Sequence, residues 1–454
     1  MDRTIPLLAV SRRRELEPYH LFIAASLALS LGAGLVLGIL VALSRAAGWG
    51  IEASRPDLSA AHGQVQTWGF LGLFVIGMAQ RLMPRFSRNP LRFQRLAVPL
   101  LILVLAGLLS RVVAAVWLSG HAHDVAVVGA QALLLVAAAY FTLVVWGTLA
   151  TSQARGEATV WFFLAGSSIL TLTAALATLA AVRALVDETR LLPYYLNTAV
   201  TYLFLGAFVM AFIGGVGSRA LPVMAGLSRS ERAGRLAAVV LVLSGPVLAG
   251  ALLLLEYGVG DAGAASRVAG AAFVGLGLAW GTIVWLSGVL RPAANRLRPA
   301  SQAHGWLVRS AVLWLALSAA LALYLGLDSA VSGRLPGALA LDALRHMLGL
   351  TATSLIVGMG LLILPEFAAE RLDGRGQAAR SYVLLLLLNG AAVLRVAPSL
   401  LGSDLDPEAR SLAQAAAGGL AEVALLVFAW GFLRMMLGTA SVPGVGRAAR
   451  WGGG

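Results

Sequence analysis

The chain contains neither cysteine nor lysine among its 454 residues. Without cysteine it cannot form disulfides, zinc–thiolate sites, iron–sulfur clusters or a thiolate-ligated haem. Without lysine it cannot form the nucleotide-binding loop that ends in Lys-Ser or Lys-Thr. All 34 basic residues are therefore arginines, and the chemistry of any site must come from His, Arg, carboxylates and neutral polar groups.

Charged residues are also scarce. They make up 12% of the chain, against about 25% in an ordinary soluble domain. Hydrophobic residues make up 59%, and the mean hydropathy is +0.84. These values exclude a soluble globular, disordered or collagen-like chain. The apolar runs are long and continuous, so they predict an all-α polytopic membrane bundle and not a barrel of alternating strands.

Twelve apolar segments are long enough to cross about 30 Å of hydrocarbon at 1.5 Å per residue. We number them spans 1 to 12 and treat residues 1–454 as one transmembrane domain. The predicted limits are 19–44, 64–84, 96–118, 125–150, 158–182, 195–218, 235–256, 264–290, 305–327, 343–365, 379–401 and 411–437.

Arginine placement predicts the orientation. Arginines concentrate in the loops on one side, whereas the opposite loops are acidic, as at Asp404, Asp406 and Glu408. The positive-inside rule then places both termini of a multi-pass membrane protein in the cytoplasm. It also explains the formal net charge of +13 without a nucleic-acid partner. The basic loops include Arg12, Arg13, Arg14, Arg81, Arg85, Arg88, Arg92, Arg95, Arg219, Arg229, Arg232, Arg235, Arg291, Arg296 and Arg298.

An internal repeat predicts three units of four helices. Spans 2, 6 and 10 each end with Gly, six residues and Pro, and a Trp-Gly pair recurs in spans 4, 8 and 12. The approximate units are 15–155, 156–300 and 301–440, and the Gly-rich stretch 444–454 is predicted to be a flexible tail. The markers are Gly77 and Pro84, Gly215 and Pro222, Gly358 and Pro365, and Trp146, Trp280 and Trp430.

Two histidines occupy corresponding places in the first and third units. His62 opens span 2 and His346 opens span 10, both on the predicted outer side. Two imidazoles at similar depth on facing helices can ligate one haem iron from opposite sides. They are the candidate haem ligands, and neighbouring Arg345 and Arg395 are candidate partners for haem propionates.

The other histidines support weaker hypotheses. His121 and His123, in a predicted extended loop, project to the same side and could hold copper. The alternative without a cofactor is that His62, His346, His121 and His123 are each a polar anchor or a hydrogen-bonding group at the membrane interface. His20 and His304 are expected to cap span ends.

Three charged residues are predicted inside spans. Arg111 and Arg395 either have a functional role or extend to the interface, and Glu422 is a candidate proton carrier or hydrogen-bond acceptor. Arg410 is predicted near the outer face, at the depth expected for haem propionates.

The residues from Ala61 to Phe86, and those from Leu344 to Phe367, resemble the NnrS family. NnrS-like proteins are twelve-span bacterial inner-membrane proteins that contain haem and copper and are associated with nitric oxide metabolism. The resemblance implies haem b and copper as cofactors, and nitric oxide or another small diatomic molecule as ligand. Its specific motifs cover about a tenth of the chain.

A wider resemblance is to the catalytic subunit of haem–copper oxidases and nitric oxide reductases. That subunit also has twelve spans with threefold pseudo-symmetry, and His on helices two and ten holds its low-spin haem. The copper-ligating histidines of that family lie on helices six and seven, and spans 6 and 7 here contain none. A working terminal oxidase is therefore not expected.

The sequence thus favours a haem-binding, and possibly copper-binding, NnrS-like membrane protein acting in the response to nitric oxide. Two other classes stay open. One is a twelve-span transporter without metal, although three units of four spans are not the usual two-repeat transporter pattern. The other is a non-catalytic subunit that resembles the oxidase subunit.

Overall fold

The structure is a computed structural model that describes residues 17–189, 192–225, 228, 230–290, 302–367 and 375–437. Long helices account for most of these residues, and no strand occurs among them. The predicted all-α class is therefore confirmed. The predicted tail 444–454 and several predicted cytoplasmic arginines, including Arg12 and Arg291, lie outside the described residues.

The helices follow the predicted order. Eleven of them are long and apolar enough to cross a membrane, so the chain is a multi-pass membrane protein. Span 2 is as long but less apolar, because it carries Gln64, Gln66 and Gln80. The helix bounds are Pro18–Ala47, 58–87, Ala97–Trp117, Gly120–Leu149, Ala158–Val186, 194–225, Glu231–Glu256, Ala262–Ser287, Gln302–Ser332, Ala338–Phe367, Arg375–Leu400 and Pro407–Leu437.

Spans 2, 6 and 10 form the centre of the bundle. The most apolar stretches of spans 6 and 10 are 78% and 61% buried, against 33–50% for the other nine membrane-length helices that the structure describes. In span 2 most side chains between Val65 and Met83 are buried. Trp68 of span 2 lies against Phe204 of span 6, with ring centroids 5.4 Å apart, and span 10 contacts both helices.

Each central helix packs through a glycine onto the first helix of its own predicted unit. At these positions a Cβ atom would lie within about 2.6 to 3.2 Å of a neighbouring side chain, so a larger residue would force that neighbour to shift. The three contacts are Gly77 with Phe22, Gly215 with Phe163, and Gly358 with Leu307 and Val308.

Equivalent ion pairs occur in the first two units. Arg81 donates to Glu17, which precedes span 1, at 2.8 Å, and Arg219 pairs with Glu157, which precedes span 5. The third unit has Leu362 at the corresponding place. These pairs and the glycine contacts support a threefold repeat, whose limits remain predictions.

The structure adds two details about the repeat markers. Pro84 and Pro222 do not end their helices, which continue for three residues to Ser87 and Ala225. A proline near a helix end is tolerated because it removes a single backbone hydrogen bond. The Trp-Gly pairs differ as well, because Trp280 is buried and donates to the Gly206 carbonyl while Trp146 and Trp430 are exposed.

The close packing at Gly77 predicts a large difference between two glycine substitutions. A Cβ at position 77 would meet the Phe22 Cβ at 2.6 Å, whereas one at Gly281 would meet nothing within 4 Å. Gly77→Ala should destabilise the protein by about 1–3 kcal/mol through overpacking, and Gly281→Ala should change stability by less than about 0.5 kcal/mol. Thermal unfolding in detergent, followed by tryptophan fluorescence, measures both. Equal midpoints would contradict this account of span packing.

Candidate functional site

His62 lies in the second turn of span 2 and is half-buried against span 1. Its Nδ1 lies 2.6 Å from the carbonyl oxygen of Gly34. Because a carbonyl oxygen only accepts hydrogen bonds, Nδ1 carries the proton and Nε2 keeps its lone pair. A Cβ at Gly38 would lie 2.4 Å from the ring, so glycine at this position makes room for the imidazole.

His346, in span 10, has the same arrangement. Its Nδ1 lies 2.8 Å from the carbonyl oxygen of Asp342, one turn earlier in the same helix. The Nδ1 proton is therefore donated to the backbone here too, and Nε2 keeps its lone pair. For both imidazoles, no hydrogen bond joins Nε2 to another residue in the described part of the chain.

Three segments of π-helix lie close to this region. They are Ser30–Gly34 in span 1, Val65–Gly72 in span 2 and Leu203–Val209 in span 6. A π turn holds one residue more than an α turn, and such segments are frequent at functional sites. The stretch from His62 to Pro84 is three residues longer than the stretch from His346 to Pro365. The extra residues in the π segment of span 2 account for part of this difference in length.

Asp342 organises the charged end of span 10. Arg395 of span 11 donates to both of its carboxylate oxygens, at 2.9 and 3.2 Å. Arg345 also pairs with Asp342, and the Ser399 hydroxyl donates to it at 2.9 Å. The two predicted propionate partners thus share one carboxylate, and the three charges sum to one excess positive charge.

The same two arginines connect the histidines electrostatically. The charges of Arg345 and Arg395 act on both His62 and His346. Arg45, at the end of span 1, acts in turn on Arg395. The structure therefore places all four predicted haem-site residues in one electropositive region at the same end of the bundle, which we call the outer end after the predicted orientation.

Two buried polar atoms lie one turn deeper than the histidines. They are Nε2 of Gln66 in span 2 and Oγ1 of Thr351 in span 10, and neither has a hydrogen-bond partner among the described residues. Gln66 follows His62 by four residues and Thr351 follows His346 by five. Buried donors without partners are costly, so these two atoms are expected to contact water or a bound molecule.

The expected conformation around His121 and His123 is wrong. Both residues lie in the first turn of span 4, which begins at Gly120. Residues two apart on a helix diverge, and accordingly His121 is exposed while His123 is buried. Both nitrogens of His123 face carboxylates at 2.7 Å, Nε2 that of Asp57 and Nδ1 that of Asp124. This geometry does not favour a copper site, which stays a prediction.

His123 belongs instead to a buried ion network at the outer end. Arg111 of span 3 donates to the Asp57 carboxylate at 2.9 Å, so it neither extends to the interface nor stays unpaired. Burial alone would raise the pKa of the Asp57 carboxyl, but Arg111 and His123 outweigh burial and hold that pKa below its ordinary value. The network fixes Asp57 immediately before the helix that carries His62.

The remaining candidate residues have structural partners. His20 caps span 1 as expected, because its Nδ1 accepts from the Glu17 amide at 3.1 Å. His304 does not act as a cap, since its Nδ1 bonds the Ser381 hydroxyl at 2.7 Å and ties span 9 to span 11. Arg410 donates to the Leu405 carbonyl at 3.1 Å.

Sequence reasoning missed the two carboxylates that organise these groups. Asp342 had a usable signal, because Asp342, Arg345 and His346 lie three and four residues apart on one helical face. No sequence signal marked Asp57, because it lies in a loop and its partners Arg111 and His123 are distant along the chain.

No family model and no curated protein matches this sequence. Within the described ranges, no group of three or more His, Asp or Glu side chains has the arrangement of a metal site. A haem with two axial histidines needs no such group, because the porphyrin supplies the other ligands of the iron.

Proposed function

We propose that this chain is a haem-binding membrane protein of the NnrS type, in which His62 and His346 are the axial ligands of one haem b. It acts in the response to nitric oxide or another small diatomic molecule. When bound, the haem iron would supply the coordination site for that molecule by exchange of one of the two imidazoles.

The hydrogen bond that each of the two histidines forms through Nδ1 is the observation that carries the proposal. Each donates its Nδ1 proton to a backbone carbonyl, Gly34 or Asp342, and keeps the Nε2 lone pair. Histidines that ligate metals almost always donate the other ring N–H to such an acceptor, which fixes the ring and raises its basicity. Of the described histidines, His123 has both ring nitrogens engaged by carboxylates and so differs from this pair.

The charged residues support an anionic cofactor at the same end. Arg395 and Arg345 exceed the single carboxylate of Asp342 by one positive charge. Arginine pairs with carboxylates in a planar, bidentate way, which suits haem propionates. The unpaired Gln66 Nε2 offers a further donor close to His62.

The absorption spectrum of the purified wild-type protein tests the proposal. We expect a Soret band, about one haem per chain, and the haem b signature after extraction into alkaline pyridine. Iron and copper analysis on the same sample decides the copper prediction. A colourless protein that moves a solute in liposomes would establish the transporter alternative. A colourless protein that co-purifies with an oxidase would establish the structural-subunit alternative, and either result overturns the haem proposal.

A further inference from the structure

Two arginines lie against adjacent residues at the cytoplasmic end of span 12, the end opposite the histidines. Arg380, in the second turn of span 11, reaches across to span 12, because a Cβ at Gly431 would lie 2.8 Å from its Nη1. Arg434, in the last turn of span 12, lies with its guanidinium carbon 5.4 Å from the ring centroid of Trp430. The pair Trp430-Gly431 thus bears two positive charges from two different helices.

These two charges are not neutralised by the described part of the chain. Neither guanidinium forms an ion pair or a hydrogen bond with another described residue. The carboxylates that the structure describes at this end belong to the first two units and already have partners there, namely Glu17, Glu157 and Glu231. Like charges on neighbouring positions repel each other, so an anion bound between them would lower the electrostatic energy.

The surface beside the two arginines is apolar and faces the lipid. Trp430 is 59% exposed, which places an indole ring at the end of a span, where such rings lie at the level of the lipid headgroups. Exposed apolar side chains continue from this level towards the middle of the membrane on both helices, namely Val383 and Leu386 on span 11 and Val423 and Leu426 on span 12. A molecule bound here would meet positive charge at one end and hydrocarbon along its length.

The first two units lack this arrangement, although both have the Trp-Gly pair. In the first unit a Cβ at Gly147 would lie 2.7 Å from the ring of Phe93, which takes the place of Arg380. In the second unit a Cβ at Gly281 would meet nothing within 4 Å. The residues at the position of Arg434 are uncharged in these two units, namely Ala150 and Val284. The two arginines are therefore specific to the third unit, and the packing that the units share does not require them.

We propose that Arg380, Arg434 and Trp430 form a binding site for one anionic phospholipid of the cytoplasmic leaflet. The phosphate accepts hydrogen bonds from both guanidiniums, and the acyl chains lie along the exposed apolar side chains of spans 11 and 12. The cation–π contact with Trp430 holds Arg434 in place before the lipid binds, which reduces the entropy lost on binding. A zwitterionic lipid also carries a cationic group that the arginines repel, so the site selects lipids of net negative charge. This proposal goes beyond haem binding and does not depend on it.

Native mass spectrometry of the full-length protein in detergent tests the site by counting bound lipids during titration with phosphatidylglycerol or phosphatidylcholine. The wild type should retain one phosphatidylglycerol per chain more tightly than any further copy, and more tightly than phosphatidylcholine. Arg380→Gln/Arg434→Gln should weaken the retention of this first lipid by about tenfold or more, because each arginine contributes to the attraction of an anionic headgroup.

Arg92→Gln/Arg95→Gln is the matched control. Both arginines are exposed at the same end of the bundle, in the first unit, and their replacement removes the same charge. This variant should retain phosphatidylglycerol as the wild type does. Trp430→Leu, which keeps both charges and an apolar side chain, should weaken retention less than Arg380→Gln/Arg434→Gln does.

Thermal unfolding gives a second measurement that does not depend on the basal stability of a variant. The midpoint of each protein is compared with itself in phosphatidylcholine and in phosphatidylglycerol. It should rise in phosphatidylglycerol for the wild type and the control, and stay the same for Arg380→Gln/Arg434→Gln. Equal loss of lipid in the two double variants, or equal retention of the two lipids by the wild type, overturns the site. Displacement of the lipid by inorganic phosphate, which has no acyl chains, overturns the phospholipid as its occupant.

Discussion

Replacing both His62 and His346 by alanine is expected to abolish haem binding, with at least a twentyfold loss of Soret absorbance per chain. Each imidazole supplies one axial bond, and porphyrin contacts alone hold haem loosely in detergent. Either single replacement should leave a weaker band of altered position, because one axial ligand remains. Spectra and pyridine extraction of equal amounts of purified protein measure these changes.

His121→Ala is the matched control for these replacements. His121 is also an imidazole at the outer end, but it is exposed, whereas His62 and His346 are partly buried. Its removal should leave haem content within experimental error. If the double variant keeps its full haem content, the ligand assignment is wrong, whereas a loss of the control's haem would show that the spectra report general destabilisation.

The fold could be predicted from sequence because it depends on local signals. Each apolar segment long enough to cross the membrane becomes one helix, since the backbone must satisfy its own hydrogen bonds in lipid. The shared Gly and Pro spacing also indicated which helices correspond. Span 2 shows the limit of this reasoning, because its predicted start at residue 64 misses the turn that begins at Leu58 and holds His62.

The site could be predicted only in part. His62 and His346 were identifiable because histidine is rare here, with six in the chain. Their tautomers were not, since these depend on the carbonyls of Gly34 and Asp342, one of which lies 28 residues away. The π segments were equally hidden, because their turns form where helices pack together and no residue pattern marks them.

Asp342 shows how one missed residue changes the interpretation of a predicted one. Arg395 was expected either to bind a propionate or to extend to the interface, but it forms a two-oxygen pair with Asp342. Its guanidinium is thereby fixed before any cofactor binds, which reduces the entropy lost on pairing with an anion. Asp342 also holds His346 through its carbonyl, so a single residue orients both a proposed ligand and a proposed propionate partner.

Among the single substitutions discussed, Asp57→Ala is expected to lower the stability of the protein most. It leaves the buried Arg111 without its carboxylate, and breaking one side of a buried ion pair costs about 3–5 kcal/mol. The matched control is Asp187→Ala, which removes the exposed partner of Arg183 at the same end of the bundle. Because an exposed ion pair contributes at most about 1 kcal/mol to the free energy of unfolding, Asp187→Ala should lower that free energy by no more than this.

Unfolding in detergent at several pH values separates the contribution of the Asp57 charge from simple packing. Because its pKa is held below the ordinary value of 3.8, the Asp57 charge stabilises the folded protein above that pH and stops doing so as the pH falls through the lowered pKa. The stability gap between wild type and Asp57→Ala should therefore be full at neutral pH and narrow in acid. The double variant Asp57→Ala/Arg111→Leu should lose less than the two single variants combined, since it leaves no unpaired arginine. A cost for Asp57→Ala that does not exceed that of Asp187→Ala would show that the network does not hold the start of the His62 helix.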